Sequence, residues 1–476
     1  MKRYEQVAED IANSISRGML RKGDRLPSVR QASQRRGVSP STIFQAYYLL
    51  EARGLISARE RSGYYVTGGV GAMPQLPDLP APTHAALTTV DVSELVFEIL
   101  ASVRTGKLLP LGSAFPSPLL FPLGKLARIM ASTVQAMDPW ATVRDLSPGD
   151  EQLRRQIALR YQIDGLQVPP EEIIITNGAL EALNLCLAAI GTKPGDSILI
   201  ESPAFYAALQ AIERNGLQAV EVPTHPSRGA DLDALEHAIR QHQPKACWLM
   251  TNFQNPTGSL MPEENKRALV ALLGRYEIPL IEDDVYAELY FGEKRPLPAK
   301  AFDHEGLVLH CSSFSKCLAP GYRVGWVAPG RYARSVERIK LTTTLAASVP
   351  AQQTLANYLA RGHYDRHLRT LRHTLLLQQI RFVQAVEQYF PPGTRLTAPA
   401  GGYFVWIKLP DGVDALMLHR SAVAAGISIA PGPMFSARRG FENYVRLNYG
   451  HLWDADLDTG LARLGRLVAA LADERR

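Results

Sequence analysis

Five times between residues 173 and 316 a short apolar run ends and a polar or aromatic segment follows it. The runs are 173–176, 197–201, 246–251, 279–282 and 307–311, and 219–222 is a further strand-like run. Aliphatic and β-branched residues in runs this short read as strands buried on both faces. The stretch 179–190, between the first two, carries a helical apolar stripe. Strand and helix alternating in this way predict an α/β domain built on a mostly parallel sheet. Ligands collect in such sheets at the carboxyl ends of the strands, so the residues after each run are the ones brought together. They are Asn177, Gly178 and Ala179 after the first run, Phe205 after the second and Asn255 after the third. Asp283 and Tyr286 follow the fourth, and Ser313, Lys316 and Arg323 follow the fifth.

These residue types, in this order, fit an aldehyde cofactor with a phosphate tail. Lys316 forms a Schiff base, while serine hydroxyls and the Arg323 guanidinium hold the phosphate. Free backbone N–H groups at the start of helix 179–190 suit the same phosphate. Asp283 suits a protonated pyridine nitrogen, Tyr286 and Asn255 the ring oxygen, and Phe205 the ring face. Singly, each has a plainer reading as a turn, a core aromatic or a surface lysine. The succession at five strand ends is what gives them weight.

The net charge of +6 is unevenly placed. Residues 1–67 hold twelve Lys/Arg against six Asp/Glu, and the rest of the chain is balanced at forty of each. A small basic module on a neutral body predicts a polyanionic partner. Within it Val7, Ile11 and Ile15 have helical spacing, Ser28 caps a short helix that Gly37 ends, and Ser39 caps a third helix burying Ile43, Ala46, Tyr47 and Leu50. Two strand-like runs, 54–58 and 63–66, flank a charged turn and form a hairpin wing. Residues 68–92, with four prolines in nine residues, read as a linker. Residues 93–476 form the large domain. No run of about 18 uncharged apolar residues is present to span a membrane, and the N-terminus has no apolar core of a signal peptide. The four scattered cysteines have no metal-ligand spacing and read as reduced, cytoplasmic thiols.

The run from Gly23-Asp24-Arg25-Leu26-Pro27-Ser28 to Val66 resembles the winged helix-turn-helix, a small α+β fold, of the GntR superfamily of bacterial regulators, over about residues 3–67. The resemblance implies a third helix entering the major groove of double-stranded DNA. Ser41, Thr42 and Gln45 would be its outward contacts, Arg25 and Arg30 would sit at phosphates or a base edge, and Ser62 and Gly63 would form the wing tip. From about residue 110 onward the chain resembles the fold-type I pyridoxal-phosphate enzymes, specifically class I/II aminotransferases. Gly149 with Leu153-Arg154, and Val445-Arg446-Leu447-Asn448, fit two further motifs of that family. The resemblance implies pyridoxal 5'-phosphate as cofactor. Lys316 would make the internal aldimine, Asp283 would meet the pyridine nitrogen, and Asn255 and Tyr286 the ring oxygen. Phe205 would stack on the ring. The turn Asn177-Gly178-Ala179, with Ser313 and Arg323, would bind the phosphate, and Arg446 would take the carboxylate of an amino acid. One position departs: Arg144 stands where many relatives carry a tyrosine that helps hold the partner's cofactor phosphate.

The whole order of head, linker and body resembles the MocR-type regulators. It implies a head-to-tail homodimer with each head packed on its partner's large domain, and a regulator that senses the cofactor, an amino acid or an amine. The alternative is a working aminotransferase whose DNA-binding head is secondary.

Overall fold

The computed structural model describes residues 3–17, 19–52, 55–59, 63–66, 77, 86–102, 108–144 and 146–474. The head contains three helices, α1 (Arg3–Ser16), α2 (Val29–Arg36) and α3 (Pro40–Ala52), and a hairpin of β1 (Ile56–Arg59) and β2 (Gly63–Val66). The local signals act as their chemistry requires. Ser28 accepts from the Gln31 amide while the Gln31 side chain accepts from the Ser28 amide, which satisfies two free donors at the start of α2. Gly37, at φ +62°, ends it. Ser39 Oγ accepts from the Thr42 amide at 3.2 Å to start α3. Ile43, Ala46, Tyr47 and Leu50 are buried as the spacing predicts, and Tyr47 donates its hydroxyl to the Pro27 carbonyl at 2.7 Å.

The large sheet takes its strands in chain order as β3 (Leu87–Thr89), β4 (Ile174–Thr176), β5 (Ser197–Ser202), β6 (Gln218–His225), β7 (Gly229–Ala230), β8 (Ala246–Leu249), β9 (Leu280–Asp283), β10 (Val308–Ser313) and β11 (Gly325–Ala328). Their spatial order is β3-β6-β5-β8-β9-β10-β11-β4, with β7 paired to β6. Strands β6, β5, β8, β9 and β10 run parallel, and β11 is antiparallel to both neighbours. All five runs read from the sequence are strands, and all lie in this one sheet. Residues 87–89, read above as linker, instead pair with β6 as an edge strand, Leu87 opposite Val220. Three residues beside a proline-rich stretch are too short a run to declare themselves.

A second, antiparallel sheet lies toward the C-terminus: β12 (Arg395–Leu396), β13 (Phe404–Lys408), β14 (Ala430–Pro431) and β15 (Tyr444–Asn448), in the order β12-β13-β15-β14. It shares one apolar core with the first sheet's flank, in which Ile175, Phe314, Val405 and Val445 are all buried. The 27-residue helix His363–Tyr389 runs beside that core.

The head sits on this long helix. Leu377 belongs to the head's own apolar core and Ile380 packs against it. Tyr4 meets His373 edge to face at 6.3 Å, and the Arg381 guanidinium lies 5.8 Å from the Tyr48 ring. The resemblance places each head on the partner's large domain, whereas here it rests on its own chain. The stripe of Leu377 and Ile380 completes the head's core.

Candidate functional site

The carboxyl ends of β4, β5, β8, β9 and β10 meet at one place. Lys316 follows β10 by three residues. Its Nζ donates to the Ala114 carbonyl at 2.9 Å and lies 3.9 Å from the centre of the Phe115 ring. Burial, then the positive charge of Arg446, pulls this lysine down from 10.5 to about 7, with Asp283 opposing. Asp283 ends β9. Burial pushes its carboxyl up to about 7, and Lys316 opposes the shift. Its Oδ1 is buried with no hydrogen-bond partner.

Behind it Asp284 is held below the usual carboxylate range. Burial alone would raise it, but His310 Nε2 at 3.0 Å, Arg295 at 3.6 Å and the Asn252 amide at 2.9 Å outweigh burial. His310 is fixed in turn by the Tyr161 hydroxyl at 2.7 Å, which accepts from Trp326 Nε1 at 3.0 Å. This buried network locks the end of β9, and with it the direction of Asp283.

A cradle forms where β4 and β11 meet the start of helix Ala179–Ile190. Gly178 has φ +88°, and a Cβ there would collide with the Arg323 guanidinium. Arg323 donates to the Ser315 hydroxyl and to the Asn177 carbonyl, each at 3.2 Å. Ser313 Oγ accepts from the Ser315 amide at 3.4 Å. Helix N–H groups, two hydroxyls and a guanidinium around one glycine are a phosphate's donor set. Asn177 helps position Arg323 through its carbonyl, while its backbone N–H and side-chain amide both donate to Glu181. Lys340, almost fully buried, is 3.1 Å from the Glu181 carboxylate and offsets its charge beside the cradle.

Arg446, on β15, closes the opposite side. It is 1% exposed. It donates to Asn255 Oδ1 at 2.9 Å and to the Gly112 carbonyl at 2.6 Å, and it lies 4.3 Å from the Phe404 ring. Its Nε has no partner, and among the described residues no carboxylate pairs with it. Burial alone lowers its affinity for its proton. Asn255 Nδ2 is likewise buried and unpartnered. Tyr286 is buried edge-on to Tyr403 at 5.5 Å, and burial raises its phenol. Phe205 is half-buried, its ring 4.8 Å from Tyr206.

The orphaned Asp283 Oδ1 and Asn255 Nδ2, together with the cradle, fit a planar pyridine bearing a ring oxygen and a phosphate.

Comparison with known proteins agrees with this geometry. The family described as "Aminotransferase class I and II" matches residues 134–464, and "Bacterial regulatory proteins, gntR family" matches residues 3–66. The uncharacterized HTH-type transcriptional regulator YdcR of Escherichia coli is 45% identical over 98% of this chain and 99% of its own. YjiR, another such regulator of the same organism, is 37% identical over 94% and 95%. The chain belongs to the MocR-type transcriptional regulators. Among solved structures, the α-aminoadipate aminotransferase LysN of Thermus thermophilus, complexed with N-(5'-phosphopyridoxyl)-L-leucine, superposes with a TM-score of 0.73. It is 30% identical and covers 81% of this chain and 97% of its own. The multiple substrate aminotransferase of Thermococcus profundus gives 0.74 at 28% identity, covering 81% and 96%.

In this regulator the structure adds residues that the sequence reading missed. Ala114 and Phe115 cover Lys316, yet they come from an irregular segment with no motif. Ser315, like Ser313 just before the lysine, joins the cradle by accepting from Arg323. Asn448, beside Arg446, donates to the Ser113 and Phe115 carbonyls at 3.0 and 2.7 Å and so holds that covering segment. Gly149 and Arg154 are structural: Arg154 ties the Gly149 and Pro170 carbonyls at 3.1 and 2.8 Å. Arg144 is exposed and paired with Asp138, away from this chain's cradle. Cys317 is a packed residue whose thiol meets the Tyr364 hydroxyl at 3.1 Å, and all four cysteines are buried as free thiols.

In the head, Arg25, Arg30, Ser41 and Gln45 are exposed, and Arg25 lies beside Gly63 at the wing. Thr42 is half-buried, its hydroxyl 2.8 Å from that of Ser39. Ser62 lies outside the described residues. No described helix is long and apolar enough to cross a membrane.

Proposed function

We propose that this regulator binds pyridoxal 5'-phosphate at Lys316, takes the carboxylate of an amino acid or the chain of an amine effector beside it, and passes the occupancy of that site to its DNA-reading head. Arg446 carries the reading. A guanidinium buried in an aromatic cage with no carboxylate of its own is costly unless an anion arrives, and a carboxylate is the planar anion its fork matches. The phosphopyridoxyl-leucine bound in LysN supports the same pairing of cofactor and amino acid.

The cofactor, when bound, supplies an electrophilic carbon and an electron-withdrawing ring. The chain's residues do the rest. Lys316, pulled down to about 7, presents a large share of neutral amine near neutral pH. Asp283 holds a proton against the ring nitrogen. Asn255 and Tyr286 orient the ring oxygen, and Phe115 shields Lys316 from water.

A continuous set of contacts supports transmission. Tyr286 leads directly into the turn Ala287–Leu289. Arg372 on the long helix donates to the Glu288 carbonyl at 3.2 Å and lies 4.1 Å from the Tyr290 ring. On the same helix His373, the next residue, and Leu377 and Ile380, about one and two turns further along, touch the head. Only a ligand with unequal affinity for two arrangements of head and body shifts DNA binding. Exposed Trp140, Val143, Leu119 and Leu123 support a second copy of the chain as a partner, as a homodimer requires. Two heads would then read two half-sites.

The test is DNA affinity with pyridoxal phosphate and a panel of amino acids and amines, alongside a multiple-turnover assay. Ligand-dependent affinity with no sustained turnover supports the sensor. Turnover in the usual enzyme range of about 1 to 10³ per second, with DNA binding indifferent to ligand, overturns it in favour of an aminotransferase.

A further inference from the structure

The outward face of α3 carries a side chain that no polar reading of this helix includes. Ser41, Phe44, Gln45 and Tyr48 lie at spacings of three and four and share one face. The opposite face, with Ile43, Ala46, Tyr47 and Leu50, fills the head's core. At the C-terminal end of the outward face Tyr48 is half-buried under Arg381 of the long helix. At the N-terminal end Ser41 and Gln45 are exposed, and Phe44 between them is 53% exposed. Among the described residues of the head, Met19 and Phe44 are the large apolar side chains left in water. Phe44 therefore neither serves the core nor lies under the body. It stands on the part of the helix that remains free, on the same module as exposed Arg25 and Arg30 and the chain's whole excess of positive charge. Those charges fit a polyanion, and so commit the occupant of this face to DNA.

We infer that Phe44 is a base-reading residue and that it reads thymine. The edges of the base pairs in the major groove present hydrogen-bond donors and acceptors, and one apolar group, the C5-methyl of thymine. A phenyl ring presented there gains by covering that methyl and loses by desolvating any other base edge, where it can satisfy no donor or acceptor. Ser41 and Gln45, one turn apart around it, supply hydrogen bonds but discriminate weakly. Phe44 then sets the identity of one base in each half-site. This rests on the DNA-reading function proposed above and adds a specificity residue to it.

The experiment begins with selection of duplexes from a random pool by the full-length protein loaded with pyridoxal phosphate. Each thymine of the enriched site is then replaced by deoxyuridine, which keeps the pairing and removes only the methyl. Affinities are measured for wild type and Phe44→Ala at fixed salt, with melting of both proteins as the folding control. One thymine per half-site is expected to matter. Its replacement weakens wild type about fourfold, the worth of one methylene-sized group taken from water, and leaves Phe44→Ala unmoved. Phe44→Leu keeps part of the discrimination. The inference is overturned if wild type is indifferent to every replacement, if Phe44→Ala pays the same penalty, or if the enriched sites lack thymine. It is also overturned if Phe44→Ala changes the oligomeric state without DNA while leaving the deoxyuridine penalty intact. A pool that yields no enriched sequence removes the DNA-reading premise itself, which separates that failure from the others.

Discussion

Lys316 is a nucleophile only as a free amine, and its surroundings set how much of it is free. With burial and Arg446 holding it at about 7, about half of it is neutral at pH 7. A lysine at 10.5 would be neutral in only about one molecule in three thousand. The rate at which the apo-protein captures pyridoxal phosphate covalently should therefore rise through pH 7 and level off above it. Two substitutions move this midpoint in opposite directions. Arg446→Met removes a cation that disfavours the ammonium, so the midpoint climbs; a climb of about one unit slows capture at pH 7 about fivefold, and each further unit about tenfold. Asp283→Asn removes the anion that favours the ammonium, so the midpoint falls. Stopped-flow absorbance of the captured cofactor gives the rates, with phosphate-free pyridoxal as the control for the cofactor's own titration. A wild-type midpoint near 10, or shifts of the same sign in both variants, would refute this account of the site's electrostatics.

Other outcomes follow from the same geometry. Between pH 7 and 10.5 the unfolded chain holds a proton at Lys316 that the folded apo-protein does not, so this contribution to stability rises with pH; between 3.8 and 7 the folded chain holds the extra proton at Asp283, so that contribution falls as pH rises. Melting of the apo-protein across pH should thus show their combined contribution lowest near 7, and a profile unchanged in the Lys316→Met, Asp283→Asn double variant would contradict it. A Cβ at Gly325 would lie 2.7 Å from the Gly178 carbonyl carbon and 2.8 Å from the Ala179 nitrogen. Gly325→Ala should push the cradle open at a cost of about 1–3 kcal/mol, weakening pyridoxal phosphate by about tenfold or more in a titration. Lys340→Met should leave the Glu181 charge beside the cradle and weaken the phosphate-bearing cofactor more than pyridoxal, with Glu181→Gln restoring affinity. Leu377→Ala should cost the head its support, about 2 kcal/mol for a buried leucine that can partly collapse, and calorimetry should then resolve the head as a separate, earlier transition.

The site was legible wherever chemistry and strand position coincided. Lys316, Asp283 and Asn255 each follow an apolar run, and a run of four β-branched or aliphatic residues has few other readings. The caps at Ser28 and Ser39 were legible because they are local: their hydrogen bonds span three residues. What escaped depends on distance along the chain. Phe115 reaches Lys316 across about two hundred residues from a segment without periodicity. The His310–Asp284–Arg295 network assembles from separate elements. Strand β3 exists only because Val220 and its neighbours present an edge. Thr42 reads outward by spacing, yet it is half-buried with its hydroxyl against the Ser39 hydroxyl. The seat of the head on the long helix is a tertiary fact, and no spacing within 3–66 announces it.

The central claim is that the site around Lys316 governs the DNA-reading head. Fluorescence anisotropy of a labelled selected duplex, at fixed salt and protein concentration because affinity shifts steeply with salt, tests it most directly. It compares wild type and Lys316→Ala with and without pyridoxal phosphate. The account predicts that the cofactor changes the affinity or stoichiometry of wild type and leaves Lys316→Ala unmoved. Specific binding by wild type that is identical in the presence and absence of cofactor and of every amino acid and amine tested would contradict it.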